Sequence, residues 1–366
     1  MYIKQLSLLN FKNYTEENLD FSPKLNCFTG NNGVGKTNLL DAIFYLSFCK
    51  SCFNPIDSQN IKDDEDLFMI QGIYERKMQD ETIQIGVKRG QKKIIKRNKK
   101  EYQAFSEHIG LLPLVMKSPA DSDFIHLGSE ERRKFPDSVI SQFDHSYLDA
   151  LIQYNRILTQ RNKLLKAPQA HSQQLTFQIY DEQLAGKAIE IHQKRAEFIA
   201  GIIPVFQHYY KEISLNREQV RLEYESHLND GDFLQQLQNS FSKDLALQFT
   251  TKGVHRDDLN LLLNSQPIRK FGSQGQQKTY LISLKLAQYQ YIKEKTGIRP
   301  ILLLDDIFDK LDSDRVGRII RLVTQEDFGQ IFITDTNPTR IRTLLDEDKQ
   351  AHLLFHIDED KIATIP

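Results

Sequence analysis

The chain has 366 residues, of which 40% are hydrophobic and 27% charged, a composition typical of a globular protein with one large domain or two ordinary ones. Its formal net charge of −1 excludes a global field that attracts nucleic acid, so any DNA affinity must come from a local basic surface. No apolar run reaches eighteen residues and no secretory signal begins the sequence, so we expect a cytoplasmic protein without a membrane partner.

Three cysteines form an odd, small set that argues against a disulfide framework. Cys49 and Cys52 make a C-x-x-C pair, but no second pair or histidine cluster accompanies them. Two interpretations stay open, a metal or redox role and the ordinary end of an apolar helix followed by a loop.

A predicted strand at residues 25–29 leads into the loop G-N-N-G-V-G-K-T at residues 30–37, which matches G-x-x-x-x-G-K-[ST], and a predicted helix follows over residues 36–48. Glycines let backbone N–H groups face phosphate oxygens, and the helix start adds its positive dipole end. Lys36 is expected on the β- and γ-phosphates and Thr37 on Mg²⁺, so we predict ATP and Mg²⁺ as cofactors. The predicted nucleotide-binding residues of this loop are Gly30, Asn31, Asn32, Gly33, Val34, Gly35, Lys36, Thr37 and Asn38.

Short strands are predicted over residues 67–100, where Ile83, Ile85 and Val87 alternate with polar residues. The last part of this region is rich in cations on a predicted hairpin, which indicates a phosphate-binding surface for DNA. A solvated charged face is the alternative. The predicted DNA contacts are Lys92, Lys93, Lys96 and Arg97.

Residues 129–239 have a mostly helical pattern with no nucleotide motif. We therefore predict an α/β phosphate-loop ATPase core, formed by residues 1–118 and 245–366, with an inserted, mainly helical lobe at residues 119–244. A second set of cations in this lobe could bind DNA, serve the fold or lie near the nucleotide: Arg132, Arg133, Arg156, Arg161 and Lys163.

A helix predicted over residues 274–295 begins with the segment F-G-S-Q-G-Q-Q-K, in which Ser273 is a candidate N-cap. The apolar run at residues 301–304 then ends in Asp305 and Asp306, as expected for a buried parallel strand with carboxylates at its end. We predict that Asp305 holds Mg²⁺. Asp306 is the predicted general base, with Lys36 as the other catalytic residue.

The order of these three motifs resembles the ABC-type ATPases, with Walker A, an S-x-G-Q signature and Walker B, followed by a D-loop-like Lys310-Leu311-Asp312. In that class the signature of one subunit caps the γ-phosphate bound to the other. The resemblance therefore implies an ATP-dependent head-to-tail homodimer, with Ser273, Gly275 and Gln276 contacting the nucleotide of the partner.

Further segments resemble the RecF family: E-R-R-K-F at residues 131–135, Q-R-N-K-L-L at 160–165, G-V-H-R-D-D-L at 253–259 and S-Q-G-Q-Q at 273–277. The resemblance implies a slow, DNA-dependent ATPase of recombinational gap repair and replication-fork maintenance. It also implies gapped DNA with single-strand/duplex junctions, RecR and RecO as partners, help in RecA loading and support of the SOS response.

The sequence departs from the family pattern at Pro136. It also departs at Lys278, because arginine is common at that second position. Asp335 stands at about the position of the transporter switch histidine. Asp306 is one carbon shorter than the usual transporter glutamate, which favours slow hydrolysis. An SMC- or Rad50-like nucleotide-gated clamp and another ABC-type ATPase subunit are the alternatives, but no long heptad array supports extended arms.

Overall fold

A computed structural model of the chain describes residues 1–307, 311–324, 327–337, 352–358 and 361–365. Its strands in chain order are β1 (Tyr2–Phe11), β2 (Tyr14–Asp20), β3 (Leu25–Thr29), β4 (Leu67–Arg76), β5 (Gln79–Lys88), β6 (Ile94–Arg97), β7 (Lys100–Glu101), β8 (Leu114–Lys117), β9 (Val220–Glu225), β10 (Asp258–Leu263), β11 (Gln266–Pro267), β12 (Ile301–Leu304), β13 (Ile331–Asp335), β14 (His352–Asp358) and β15 (Lys361–Ile365). Its helices are α1 (Lys36–Phe48), α2 (Ser122–His126), α3 (Ser129–Ile140), α4 (His145–Leu165), α5 (Gln174–Ser214), α6 (Phe233–Leu247), α7 (Ile268–Phe271), α8 (Gln274–Thr296) and α9 (Ser313–Val323). None of the described helices is both long and apolar enough to cross a membrane.

The chain divides into two compact units. The first comprises Met1–Asp121, Glu212–Leu215 and Gln274–Pro366, and the second comprises Ser122–Lys211 and Asn216–Ser273. From the sequence we predicted that the ATPase core resumes at residue 245, whereas in the structure the first unit resumes at residue 274. The difference arises because β10 pairs with β9 in the second unit, so the segment between the two positions stays with the lobe.

A sheet in the order β15-β14-β3-β13-β12-β8 organises the first unit, and all of its neighbouring pairs except β14–β15 are parallel. Its inner strands β3, β12 and β13 are buried along their whole length, which explains their uninterrupted apolar character. In a parallel sheet the carboxyl ends of all strands lie at one edge, where ligands of such folds bind.

A second, antiparallel sheet in the order β2-β1-β4-β5-β6-β7 lies in the same unit. Helix α1 contacts strands of both sheets and buries residues on most of its surface, so its apolar positions are not confined to one stripe. The predicted strand alternation is confirmed on β5, where Ile83, Ile85 and Val87 are all buried. Residues from both sheets and from α1 form one continuous hydrophobic core.

The second unit is mainly helical, as predicted, but it also contains the antiparallel sheet β11-β10-β9. Buried ion pairs hold it together. The guanidinium of Arg161 is fully buried and lies 2.7 Å from Asp181 and 2.8 Å from Asp244. Arg195 likewise lies 2.7 Å from Asp257. Because a buried charge without a partner is costly, these pairs fix how the helices pack.

Candidate nucleotide site

The phosphate-loop residues 30–37 connect the buried strand β3 to the start of α1. Gly30 and Gly35 have φ values of +149° and +107°, which side chains other than glycine rarely adopt. A Cβ atom at Gly30 would lie 2.2 Å from the carbonyl oxygen of Ile357, and one at Gly35 would lie 2.5 Å from the Asn13 amide nitrogen. The glycines are therefore required both by backbone conformation and by the close approach of neighbouring chain segments.

Asn13 supports the loop from the turn between β1 and β2. Its amide nitrogen donates to the carbonyl of Val34 at 3.3 Å, and its amide oxygen accepts a 2.7 Å hydrogen bond from Asn38. The contact joins the first turn of α1 to a turn more than twenty residues earlier. The sequence patterns drew attention to Asn38 but not to Asn13.

The side chain of Lys36 folds back over the first residues of the phosphate loop. Its ammonium donates to the carbonyl oxygens of Gly30 at 2.7 Å and Asn31 at 2.6 Å. Burial lowers the pKa of Lys36, while the carboxylates of Asp305, Asp306 and a third aspartate, at position 335, act in the opposite direction by favouring its charged form. The ammonium is thus placed beside the phosphate loop and within the field of these carboxylates.

Asp305 joins the end of β12 to the phosphate loop. One of its carboxylate oxygens accepts a 2.9 Å hydrogen bond from the Thr37 hydroxyl, and the other accepts a 2.6 Å hydrogen bond from the Thr334 hydroxyl at the end of β13. Burial raises the pKa of Asp305, and both hydrogen bonds oppose that rise. The hydroxyl and carboxylate together provide hard oxygen ligands of the kind that Mg²⁺ prefers.

Asp306 follows in the left-handed backbone region, with φ of +48°. Its amide donates to the Thr334 hydroxyl at 2.9 Å, and its carbonyl accepts a 3.0 Å hydrogen bond from the Lys278 ammonium. Its side chain is partly exposed beside the fully buried Asp305. Thr334 therefore serves both acidic residues, although the sequence patterns singled out only its neighbour Asp335.

Asp335, at about the position of a switch histidine, is buried at the end of β13, and its carboxylate accepts a hydrogen bond from the amide of Asn337 at 3.1 Å. Its register partner on β3 is Thr29, the residue before the phosphate loop. In the D-loop-like motif, Asp312 accepts a hydrogen bond from the Arg315 amide and caps α9. Lys310 lies outside the described residues.

The signature residues lie at the start of α8. Ser273 directly precedes this helix and is exposed, and Gly275 and Gln276 belong to its first turn and are partly buried. The Thr279 hydroxyl donates to the Gly275 carbonyl at 2.8 Å within the helix. Lys278, which follows in the same helix, connects it to the turn after β12.

A cavity of about 410 Å³ opens beside the phosphate-loop helix. It is lined by Lys12, Thr37, Asn38, Phe53, Asn54, Gln59, Ile61 and Asp63. The ammonium of Lys12 lies 2.6 Å from the fully buried carboxylate of Asp41, which also accepts hydrogen bonds from Ser51 and from the amide of Cys52. These contacts shape one wall of the cavity, which no sequence motif indicated.

The C-x-x-C pair lies between helix α1 and the loop that follows it. Cys49 is buried at the end of α1, where burial raises the pKa of its thiol to about 12. Cys52 is exposed in the following loop. Among the described residues, no group of three or more histidine, cysteine or acidic side chains is placed to bind a metal ion. This geometry favours the helix-end interpretation of Cys49 over a metal role.

The predicted DNA-contacting cations fall into two pairs. Lys93 is largely buried, lies 2.8 Å from Asp57 and contacts the rings of Tyr45 and Phe105. Arg97 forms two hydrogen bonds to Glu81. The other two, on the same segment, are Lys92, which is exposed, and Lys96, which is partly exposed.

Most members of the second cation set serve the fold of the helical unit. Arg132 pairs with Asp258, Arg133 donates to the carbonyl of Asp257, and Arg161 belongs to the buried network described above. The R-R and H-R-D-D segments therefore meet each other within this unit.

These features define a phosphate-loop ATPase. A family model described as an AAA ATPase domain matches residues 1–327. In fold, the chain is similar to a crystal structure of an Smc head bound to the C-winged helix domain of ScpA, with a TM-score of 0.60 at 16% sequence identity over 100% of this chain and 98% of that chain. The expected ABC-type head fold with an inserted lobe is confirmed.

Two further comparisons show which family of phosphate-loop ATPases the chain belongs to. The chain is 51% identical over 364 residues to a DNA replication and repair protein RecF of Phocaeicola vulgatus, covering 99% of this chain and 98% of that protein. It is 30% identical to a solved structure of the recombination mediator protein RecF-ATPrS in the RecFOR pathway, with a TM-score of 0.88 over 100% of this chain and 98% of that chain. The chain belongs to the RecF family of DNA replication and repair proteins.

Proposed function

We propose that this protein is an ATP-dependent DNA-binding protein that closes on DNA as a head-to-tail dimer and hydrolyses ATP slowly to release it. The observation that carries the proposal is the hydrogen bond between Thr37 and Asp305, 268 residues apart, which places the end of β12 against the phosphate loop. A loop that cradles phosphates and a carboxylate beside it form the usual core of a phosphoryl-transfer site.

Lys36 is the residue that would contact the β- and γ-phosphates, and Thr37 and Asp305 would hold Mg²⁺. The ion, when bound, neutralises phosphate charge as ATP reacts. The nucleoside would occupy the cavity beside Thr37 and Asn38, which Phe53 also lines. A solved RecF structure with ATP, 30% identical to this chain, supports ATP as the nucleotide.

Hydrolysis would use Asp306 as the general base for the attacking water. Ser273, Gly275 and Gln276 of the partner would complete the site across the dimer, as in the ABC-type class. Asp306 is one carbon shorter than the usual transporter glutamate, which supports a slow rate. DNA binding would stimulate this rate, and ATP binding would act chiefly as a switch.

DNA would bind through backbone phosphates at the basic hairpin of each subunit, with little sequence preference. Similarity to DNA replication and repair proteins and to a RecF structure of the RecFOR pathway supports DNA, RecR and RecO as partners. The family resemblance extends the proposal to gapped DNA with single-strand/duplex junctions, help in RecA loading and support of the SOS response. A cytoplasmic location is proposed from the DNA substrate alone.

The test is molecular mass in solution with and without ATP and Mg²⁺. We expect ATP to convert wild-type monomers to dimers, and Lys36→Ala and Ser273→Arg to stay monomeric, because the first loses a phosphate contact and the second blocks the signature. Lys77→Ala, an exposed lysine in the turn between β4 and β5, is the matched control and should dimerise. ATP binding without a change of mass in the wild type would show that the signature does not complete a site across a dimer.

A further inference from the structure

The turn after β12 holds one residue in an unfavourable backbone conformation. Asp306 has φ of +48°, a region that costs energy for residues other than glycine, and such turns persist only where their surroundings hold them. Both of its backbone polar groups are held by side chains: the amide by Thr334 at 2.9 Å and the carbonyl by Lys278 at 3.0 Å. The direction of the Asp306 carboxylate therefore depends on these two contacts.

Lys278 belongs to the helix that carries the signature. It lies in the second turn of α8, after Gly275 and Gln276 in the first. Lys285 is seven residues further on, so both lysines project from the same face of the helix. The Lys285 ammonium lies 2.7 Å from the carboxylate of Asp121, just beyond the end of β8.

The two lysines thus reach the ends of two adjacent strands. Strands β8 and β12 are parallel neighbours, with Lys117 opposite Leu304 at their last paired position. Lys285 contacts the segment after β8, and Lys278 contacts the segment after β12. Any displacement of the Asp306 turn must either break the Lys278 hydrogen bond or move the start of the signature helix.

We propose that Lys278 is a positioning residue for hydrolysis, which fixes the Asp306 turn and ties it to the signature helix of the same subunit. The inference rests on the proposed role of Asp306 as general base. Lys278 acts on the backbone carbonyl of Asp306, so a single ammonium donor suffices. This explains why lysine serves at a position where a bidentate arginine contact is not needed.

The test compares ATP affinity with the single-turnover hydrolysis rate. Lys278→Met keeps the helix propensity and removes the donor, so we expect ATP affinity within about threefold of wild type and a rate at least about tenfold lower. Lys278→Arg restores a donor and should recover most of the rate. Lys285→Met is the matched control: it removes the same charge from the same helix face, and its rate should stay within about threefold of wild type.

A wild-type rate in Lys278→Met would overturn the inference, as would an equal loss in Lys285→Met, because the effect would then belong to the helix as a whole. Thermal unfolding monitors folding, and Lys278→Leu, which also lacks a donor, replaces the methionine variant if that variant is unfolded. Asp306→Asn separates the two proposals. If it hydrolyses ATP at the wild-type rate, the proposed general base is wrong, whereas loss in Asp306→Asn without loss in Lys278→Met contradicts only the role of Lys278.

Discussion

Thr334 is a single hydroxyl that serves two acidic residues. It donates to Asp305 and accepts from the amide of Asp306, and it is almost completely buried. Three elements of the site, the end of β13 and both residues after β12, therefore meet at one oxygen atom. A buried donor or acceptor that loses its partner costs more than the net value of the bond.

Replacing Thr334 by valine removes both hydrogen bonds while keeping the shape of the side chain. We expect a loss of about 1–3 kcal/mol in unfolding free energy and a hydrolysis rate about tenfold lower, measured by urea denaturation and single-turnover assays. Thr334→Ser keeps the hydroxyl and should retain hydrolysis within about threefold, although the lost methyl group costs about 0.8 kcal/mol of stability. Equal hydrolysis in the serine and valine variants would contradict this role.

Burial of the Asp305 carboxylate beside the phosphate loop lowers the stability of the folded chain when this group is charged. Because burial raises the pKa of Asp305 in the folded chain, the folded state binds the proton of this group more tightly than the unfolded chain does. Its contribution to stability is therefore most favourable below the unfolded pKa, falls as pH rises between the unfolded and folded values, and stays reduced above them.

Asp305→Asn, which carries no charge at any pH, is therefore expected to raise the thermal midpoint of the nucleotide-free protein at pH 8 while abolishing hydrolysis. The gain should shrink as pH falls toward about 4, where the unfolded carboxyl takes up its proton. Differential scanning calorimetry across this range tests the expectation, with the exposed Asp123→Asn as the control for a simple change of net charge. A variant less stable than wild type at pH 8 would show that the charged carboxylate contributes net stability.

At the scale of elements, the cations on the hairpin of β5 and β6 differ in role, because some form ion pairs within the fold and others face solvent. The ammonium of Lys93 turns toward Asp57, 36 residues earlier, and Arg97 pairs with Glu81 on the neighbouring strand. Composition alone predicted a run of equivalent cations, because the spacing of residues along a strand does not tell which long side chain finds a partner in another segment. Lys92 and Lys96 are the better candidates for phosphate contacts.

Reversing the charge of Lys92 and Lys96 together is expected to weaken ATP-dependent DNA binding and to lower the slope of log affinity against log salt by roughly 1–2. Fluorescence anisotropy at several salt concentrations measures both quantities. The control reverses Lys77 and Lys361, two exposed lysines outside the hairpin, and should leave the slope unchanged. Equal effects of the two pairs would mean that general electrostatics, and not the hairpin, governs binding.

The elements of the nucleotide site that could be predicted are those whose residues form one continuous pattern along the sequence. Helix α1 and the strand before Asp305 occur where the sequence predicted them, because each combines an apolar run with a motif at its end. Thr334 and Asn13 could not be predicted in this way, since their partners lie in other segments. Strand β9 was missed because a helical pattern surrounds it, and its pairing with β10 is decided by tertiary contacts.

At the scale of the whole molecule, the proposed dimer predicts complementation between two inactive chains. In a mixed dimer of Lys36→Ala and Ser273→Arg, one site combines both defects, while the other combines an intact phosphate loop with an intact signature. Because neither variant is expected to dimerise with itself, the dimers in an equal mixture are mixed ones with one working site each, and we expect hydrolysis of up to about half the wild-type rate. A mixture as inactive as either variant alone would exclude independent sites shared between subunits.

The strand order of the parallel sheet also determines how early this sheet can form while the chain is being synthesised. Strand β3 pairs with β13 and β14, so that Leu25 lies opposite Ile331 and His352, while β1, β2, β4 and β5 lie with β6 in the separate antiparallel sheet. At roughly 5–20 residues per second, about 15–60 s separate the appearance of β3 from that of its partner. The antiparallel sheet can form on the ribosome during this interval, whereas the phosphate loop has no complete sheet behind it until translation is nearly finished. A newly made chain is therefore expected to complete its nucleotide site late, because the Thr37–Asp305 contact and the strands beside β3 require segments that are made last.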